Sequence, residues 1–149
     1  MRYIIYFIFY FFLIFDIQIV FADDFAMLKN NKVNVRFGPS FEYPIKYIYL
    51  KKYLPIKIID KKENFRRIID HKQNSGWIHT SQLSKSSSVI LTKKQFIFSK
   101  PTKFSKPVAI AEKGKLILIK KCKKSWCKTS INEISGWILF SNFWGELPN

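Results

Sequence analysis

The sequence is short of the residues that most catalytic and metal sites require. Its 149 residues include two cysteines, two histidines and ten acidic residues. A zinc site needs three or four ligands held together, but His71 and His79 lie in a different half of the chain from Cys122 and Cys127. A cysteine hydrolase needs a base beside its thiolate, and glycan cleavage needs paired carboxylates in a cleft. Neither pattern is present, so we predict no enzyme, no metal and no cofactor.

Helical patterning is also missing. No stretch of ten or more residues repeats its apolar residues at helical spacing. Instead, apolar and polar residues alternate over short stretches, as half-buried strands require. The sequence therefore predicts an all-β chain, with candidate strands at Val33–Arg36, Ile45–Tyr49, Leu54–Asp60, Phe65–Asp70, Gly76–His79, Val89–Thr92, Gln95–Phe98, Val108–Glu112, Lys115–Cys122, Trp126–Ile131 and Gly136–Leu139.

Charged residues are nearly absent from the first twenty-two residues. Arg2 is followed by an apolar run from Tyr3 to Phe15, and Val20 and Ala22 are small residues at the two positions that signal peptidase reads. We predict a signal peptide over residues 1–22, cleaved after Ala22, and a periplasmic or otherwise exported mature chain. An uncleaved membrane anchor is the alternative, although the run is shorter than the roughly twenty apolar residues of a spanning helix.

Acidic residues are far outnumbered by basic ones, and the formal net charge is +16. Such a charge favours anionic partners: an anionic polymer, a membrane surface or nucleic acid. Only four of the 26 basic residues are arginine, and lysine is less suited than arginine to bidentate contacts with phosphates or bases. No specific nucleic-acid binding is therefore expected. A bias towards residues with AT-rich codons is the alternative origin of the lysines.

An internal repeat divides the chain. Ser75-Gly76-Trp77-Ile78 recurs sixty residues later as Ser135-Gly136-Trp137-Ile138. Self-similarity at this period predicts two copies of one small fold, the first over residues 23–84 and the second over residues 89–149. Between them, residues 85–88 are the predicted linker, because the Ser-Lys-Ser-Ser-Ser sequence at 84–88 is typical of a flexible join.

The first copy resembles the bacterial SH3-type domain. Val33-Asn34-Val35-Arg36 with Gly38-Pro39 is similar to the opening of that family, and Gly76-Trp77-Ile78 is similar to its closing strand. The resemblance covers nearly all of residues 33–147 and is to the tandem version in exported proteobacterial proteins. It implies two SH3-like β-barrels. The second copy departs from the pattern, because residues 96–101 lack the arginine and the glycine.

The resemblance also implies a function. Members of the wider family bind cell-wall peptides or act as targeting and assembly modules beside hydrolases. The chain is therefore expected to be a non-catalytic periplasmic adaptor that recognises a cell-wall peptide or an envelope protein. Two alternatives are a structural assembly partner of another envelope protein and a charge-driven binder of an anionic surface.

Aromatic residues are the candidate ligand contacts. Trp77 and Trp137 are expected to fill the two barrel cores, and the alternative is that each also forms the floor of a ligand groove, since SH3-like barrels hold extended peptides on aromatic side chains. Tyr43 and Tyr47 belong to a tyrosine cluster of the first copy that is the alternative floor.

Arg36 is the candidate charged contact. It follows two valines that are expected to point inward and precedes the Gly38-Pro39 turn. Its guanidinium is expected to hold carbonyls of the following loop, or to pair with Asp60 or Asp70. Binding of a ligand carboxylate is the alternative.

Cys122 and Cys127 are separated by four residues, which a hairpin loop can provide. Cysteines that face each other across an antiparallel pair are within bridging distance, and an exported chain meets an oxidising compartment. We therefore predict a disulfide. A redox motif would have two residues between the cysteines.

Overall fold

The computed structural model describes residues 24–131 and 133–147, so the predicted signal peptide over residues 1–22 lies outside the described residues. No helix in the described part of the chain is long and apolar enough to cross a membrane. The strands are β1 Asp24–Leu28, β2 Val33–Arg36, β3 Ile45–Tyr49, β4 Pro55–Lys62, β5 Phe65–Ile69, β6 Ser75–His79, β7 Leu83–Lys85, β8 Ser88–Leu91, β9 Gln95–Phe98, β10 Pro107–Ala111, β11 Leu116–Lys123, β12 Trp126–Ile131, β13 Ile134–Leu139 and β14 Phe143–Trp144. A 3-10 turn at Thr80–Gln82 precedes β7.

The strands form two antiparallel sheets with the same internal order. The first sheet runs β3-β2-β6-β5-β4-β1-β7, and the second runs β10-β9-β13-β12-β11-β8-β14. Each strand of the second sheet is the strand seven places later than its counterpart in the first. β-bulges also recur, once in the β2–β3 and β9–β10 pairs and once in the β4–β5 and β11–β12 pairs. The predictions of an all-β chain and of two copies of one fold are confirmed.

Three strands, β1, β7 and β14, are absent from the sequence prediction. In β1, Ala26 and Leu28 are buried and alternate with Phe25 and Met27. Since those neighbours are apolar too, the alternation is hidden in the sequence. β7 and β14 have three and two residues, which is too short for any alternation to be visible.

Each barrel core is built from aliphatic residues rather than from tryptophan. In β6 and β13, the isoleucine of Gly-Trp-Ile points inward, so Ile78 and Ile138 are buried in the two cores. Side chains alternate between the two faces of a strand, which places Trp77 and Trp137 on the outer faces, half-buried. The prediction that these tryptophans fill the cores is wrong.

The glycine of the same motif allows two strands to pass closely. A Cβ atom on Gly76 would overlap Val35 and lie 3.0 Å from the Arg36 carbonyl oxygen. On Gly136, a Cβ atom would overlap Ile97 and lie 2.9 Å from the carbonyl oxygen of Phe98. A side chain at either position would therefore push β6 from β2, or β13 from β9.

The junction between the barrels is packed. All four residues of β8 are buried, because Val89 and Leu91 belong to the second core whereas Ile90 joins the first. Burial on both faces explains why this strand has a continuous apolar run instead of alternation. Ser88 Oγ also donates a hydrogen bond of 2.6 Å to the Tyr53 carbonyl oxygen in the first barrel.

The predicted linker at residues 85–88 is therefore not the flexible join that its serines suggested. Lys85 ends β7 and Ser88 begins β8, and both Ser86 and Ser88 are buried. Nearby, the Trp144 ring of the second barrel lies between two rings of the first, 5.1 Å from Phe25 and 6.1 Å from His71 between centroids. The serines are small polar residues at a buried junction.

Candidate ligand-binding clefts

The first barrel has a cleft of about 300 Å³ on its outer face, beside β2, β5 and β6. None of its lining residues is acidic. They are Lys32, Asn34, Arg36, Phe41, Phe65, His79, Ser81 and Gln82. We call this site the first cleft.

Three rings form one wall of the first cleft. Phe65 on β5 stands directly opposite His79 on β6, with 5.2 Å between ring centroids. Phe41 folds back from the β2–β3 loop and lies 5.2 Å from Phe65 and 5.1 Å from His79. Phe65 is 6% exposed and Phe41 is 64% exposed, so the wall has a buried base and an open edge.

Arg36 holds the loop that carries Phe41. Its Nη1 donates hydrogen bonds to the carbonyl oxygens of Phe41 at 3.1 Å and Tyr43 at 2.7 Å. Its guanidinium carbon also lies 5.3 Å from the Phe41 ring centroid, a cation–π geometry. The expected bonds to loop carbonyls are confirmed. The alternative pairing with Asp60 or Asp70 is not made. Both bonds use Nη1, so this loop does not occupy the other two nitrogens of the guanidinium.

His79 is oriented by the 3-10 turn that follows it. Its Nδ1 accepts a hydrogen bond of 3.3 Å from the Ser81 backbone N–H and lies 2.7 Å from Ser81 Oγ. When one ring nitrogen of a neutral histidine accepts, the other carries the proton. The hydrogen-bond network thus assigns Nε2 as a donor. The ring lines the cleft as a flat surface with one N–H.

The tyrosines lie outside the first cleft. Tyr43 is exposed at the end of the β2–β3 loop, where its ring packs on Gly38. Tyr47 lies on β3 and packs against the first core. Tyr53 is in the turn before β4 and contacts Ser88 through its carbonyl group. The tyrosines therefore do not form one floor.

Tyr47 belongs instead to a partly buried polar network. Its hydroxyl lies 3.3 Å from the Tyr49 hydroxyl, which donates a hydrogen bond of 2.9 Å to Asp70 Oδ2. Asp70 also accepts bonds from the backbone N–H groups of Lys72 and Asn74 and from the Asn74 side chain. The carboxylate thereby closes the turn between β5 and β6.

The network shifts the pKa values of its members. Burial alone would raise the pKa of Asp70, but the hydrogen bonds from Asn74, Tyr49 and Lys72 outweigh it and lower this pKa below its usual value. Burial raises the pKa of Tyr47 and that of Tyr49, so both hydroxyls keep their protons. The network is a structural fastening of the turn.

Trp77 and Trp137 line neither the first cleft nor its counterpart in the second barrel. Trp77 stands opposite Arg36 and Arg67 on the outer sheet face, and Trp137 occupies the equivalent place in the second barrel. Of the five predicted ligand contacts, only Arg36 lines the first cleft. Sequence reasoning missed Phe41 because its position depends on a loop that folds back. Phe65 and His79 carried a usable signal, since both point outward on neighbouring strands.

The second barrel has a cleft of about 230 Å³ at the equivalent place, lined by Gln95, Phe96, Phe98, Lys103, Trp126 and Leu139. We call it the second cleft. Trp126 and Leu139 face each other there, as Phe65 and His79 do in the first barrel. The Phe98 and Trp126 ring centroids lie 5.6 Å apart.

At two equivalent positions, the aromatic residue and the cation of the first cleft are swapped in the second cleft. Phe98 pairs with Trp137 in the register that Arg36 shares with Trp77. Five residues later, Lys103 occupies the place of Phe41. With Leu139 in place of His79, the second cleft has lost the polar groups of the first and is mostly apolar.

The predicted disulfide is present beside the second cleft. Cys122 and Cys127 face each other across β11 and β12 with Cα atoms 4.0 Å apart, and their sulfur atoms are bonded. The described residues contain no free cysteine, and in the same part of the chain no group of three or more His, Cys, Asp or Glu residues is placed to hold a metal ion.

The comparison with protein families agrees with the repeat. A family model for the bacterial SH3 domain matches residues 29–85 and 92–145. Solved structures of NlpC1 and NlpC2 from Trichomonas vaginalis are similar at 14% and 13% identity, each with a TM-score of 0.38 over 84% of this chain. The match covers 46% and 49% of those chains, so this chain spans about half their length. No curated protein matches the sequence.

Proposed function

The chain belongs to the bacterial SH3 domain family, and from this premise we propose that it is a non-catalytic, exported binding protein whose first barrel recognises a carboxylate-bearing peptide of the cell wall. Bacterial SH3 domains commonly bind cell-wall peptidoglycan. The first barrel carries the fuller family signature in its opening strand and turn.

One observation carries the proposal: the first cleft combines an aromatic wall with cations and contains no acid. Two nitrogens of the Arg36 guanidinium are unused by the β2–β3 loop, and a guanidinium binds carboxylates in a two-pronged geometry. Phe41 and Phe65 offer apolar surface for a short side chain. An acidic or C-terminal residue of a peptide fits this arrangement.

A binding role without catalysis is favoured by the cysteines. Both are joined in the disulfide, so neither offers the thiolate that a cysteine peptidase needs. Incubation of the protein with purified peptidoglycan should release no soluble fragments. Release of fragments above a buffer blank would contradict this part of the proposal.

Export is proposed from the first twenty-two residues, with their single arginine, apolar run and Val20-Phe21-Ala22 site. Fractionation of cells should recover the protein outside the cytoplasm. N-terminal sequencing should give a mature chain that begins at Asp23. Recovery of the intact chain in the membrane fraction would favour the uncleaved anchor.

The binding proposal is tested by titrating the protein with soluble cell-wall peptides in a calorimeter and by pull-down with purified peptidoglycan at low and moderate salt. Replacing Phe41 with Ala removes the open edge of the wall, and we expect about a tenfold loss of affinity, the effect of losing roughly 1.4 kcal/mol of contact. Arg36→Gln should weaken binding of peptides that keep their carboxylates more than that of amidated ones.

Phe37→Ala is the matched control, because Phe37 is an exposed ring of the same loop that does not line the first cleft. It should leave affinity unchanged within about twofold. Retention of peptidoglycan at neither salt concentration would overturn the proposal. Crosslinking in cells that repeatedly recovers one envelope protein, without association with the wall, would favour the assembly-partner alternative.

A further inference from the structure

We propose that the second barrel docks onto a surface of anionic phospholipid through the β9–β10 loop and the strand face beside it. We call this surface the lysine–phenylalanine face, and it consists of Phe96, Lys100, Lys103, Phe104, Lys106 and Ile110. The proposal does not rest on peptide binding by the first cleft, because the face lies on the other barrel.

The tip of this face is Phe104, whose side chain is 100% exposed. The loop around it is ordered by its own hydrogen bonds. Ser105 Oγ lies 3.0 Å from the Lys100 carbonyl oxygen and 2.9 Å from that of Thr102, and the Phe104 backbone N–H donates to Thr102 Oγ1 at 3.3 Å. The backbone therefore holds a bare phenyl ring outward without using the ring itself.

Further apolar surface lies on the two strands that the loop joins. Phe96 on β9 and Ile110 on β10 stand directly opposite each other, and they are 50% and 52% exposed. Lys103 lines the second cleft together with Phe96, so the loop lies beside this strand pair. Exposed apolar groups that cluster in this way mark an interaction surface.

The charge of the face has one sign. Residues 93–111 include five lysines and no acidic residue. The acid that follows, Glu112, lies 3.3 Å from Lys94, and no ion pair of Lys100, Lys103 or Lys106 occurs within residues 24–131 and 133–147. These three exposed lysines flank Phe104 with positive charge that no acidic group in the described part of the chain pairs with.

Anionic lipid is the occupant that this combination fits best. Phenylalanine partitions into the boundary between headgroups and acyl chains, while lysines beside it contact anionic headgroups. A fully protruding ring suits insertion into a soft layer. A second copy is disfavoured, because two such faces would bring six lysines together.

The equivalent loop of the first barrel lacks the fully exposed ring and the lysines of this face. By the shared spacing from β2 and β9, Glu42 stands where the second barrel has Phe104. Residues 37–44 contain no lysine, and Phe41 is folded over Phe65 and His79. The lysine–phenylalanine face is therefore specific to the second barrel, although the backbone is shared.

The test is co-sedimentation of the mature protein with vesicles of phosphatidylglycerol and phosphatidylcholine in equal amounts, and with vesicles of phosphatidylcholine alone. We expect binding to the first and little to the second. Phe104→Ser should lower the partition coefficient about tenfold, the effect expected for a phenyl ring that leaves the acyl boundary. Replacing Lys100, Lys103 and Lys106 with Gln should lower it further, at about fivefold per lysine, and added salt should reproduce that loss.

Phe37→Ser is the matched control, since Phe37 is an exposed phenylalanine near Lys46 on the first barrel. It should bind vesicles as the natural protein does. Circular dichroism should show unchanged melting for Phe104→Ser. Equal binding to both vesicle types, or anionic-vesicle binding that neither set of substitutions alters, would overturn the proposal. A concentration-dependent dimer that Phe104→Ser abolishes would also overturn it. The same holds if the protein does not bind vesicles and its binding to peptidoglycan requires Phe104.

Discussion

The two barrels share a backbone and fasten it with different chemistry. The first holds its β5–β6 turn with the network of Tyr47, Tyr49 and Asp70. In the second barrel, Ala109 and Ala111 occupy the tyrosine positions by register, and β12 ends at Ile131 with an apolar side chain. Where the first copy has a polar network, the second copy has apolar residues that belong to or pack against its core.

In the β4–β5 and β11–β12 hairpins, it is the second barrel that has the additional fastening. Cys122 and Cys127 are bonded across the second hairpin. At the same register in the first hairpin, Lys61 faces Arg66, and Lys61 instead forms an ion pair with Asp24. The two copies therefore share the strand order, the bulges and the close glycine, whereas the side-chain interactions that fasten them differ.

The largest effect should follow removal of the Asp70 carboxylate. Asp70 is 2% exposed and accepts four hydrogen bonds, so Asp70→Ala removes the shared acceptor of Tyr49, Lys72 and Asn74. We expect a loss of about 3 kcal/mol in the free energy of unfolding, measured by urea denaturation. Asp60→Ala, which removes an exposed carboxylate of the same barrel, should stay within about 0.5 kcal/mol. Equal losses for the two variants would show that the hydrogen-bond network of Asp70 does not stabilise the first barrel specifically.

The next effect should be the same in both barrels. Gly76→Ala and Gly136→Ala each place a Cβ atom against a neighbouring side chain and carbonyl group, and overpacking of this kind costs about 2 kcal/mol. Ser75→Ala, one residue earlier on β6, should cost less than about 0.5 kcal/mol. Urea denaturation of the three variants measures this. A loss in only one barrel would show that the close crossing is not a shared requirement.

Much of this fold is predictable from the sequence because its cause is local. Alternation identifies β2, where Val33 and Val35 are buried and Asn34 is exposed, and the Ser-Gly-Trp-Ile repeat identifies the duplication. The predicted orientation of the tryptophans is wrong. The size of Trp77 favours it as a core residue. In the structure, the face of β6 that carries Gly76 points inward instead, because β6 passes close to β2 at this glycine.

The clefts were harder to predict because they depend on contacts between distant residues. Arg36 was identified through its charge beside a turn, but the fold-back of Phe41 follows from the two bonds that Arg36 makes, which no pattern encodes. Likewise, serines at 84–88 predict a flexible segment by composition, yet Ser88 is buried by a partner in the first barrel, the Tyr53 carbonyl.

The disulfide should matter about as much as either glycine, but only to the second barrel. Replacing Cys122 and Cys127 with Ala opens the small ring that the disulfide closes in the unfolded chain. The unfolded chain gains entropy, and the free energy of unfolding should fall by about 2 kcal/mol. Urea denaturation of the double variant measures this, and reduction of the natural protein should lower its stability by a similar amount. Reductant should leave the double variant unchanged, and any effect on it would mean that the loss has another cause.

The smallest effect should be a pH dependence at the junction of the barrels. His71 packs beside Trp144, and its buried Nδ1 has no hydrogen-bond partner among the described residues. Burial lowers the pKa of His71, as do Lys72 and Lys51, while Asp70 opposes them. Because the unfolded chain then binds the proton more readily, full stability is present above the unfolded pKa of about 6.5 and is lost as the pH falls through the lower folded pKa.

His71→Gln should reduce the pH dependence of the free energy of unfolding over that window. The loss near pH 3.8 and below, where the lowered pKa of Asp70 acts in the same direction, should remain. If His71→Gln leaves the slope below pH 6.5 unchanged, protonation of His71 does not weaken the contact between the barrels.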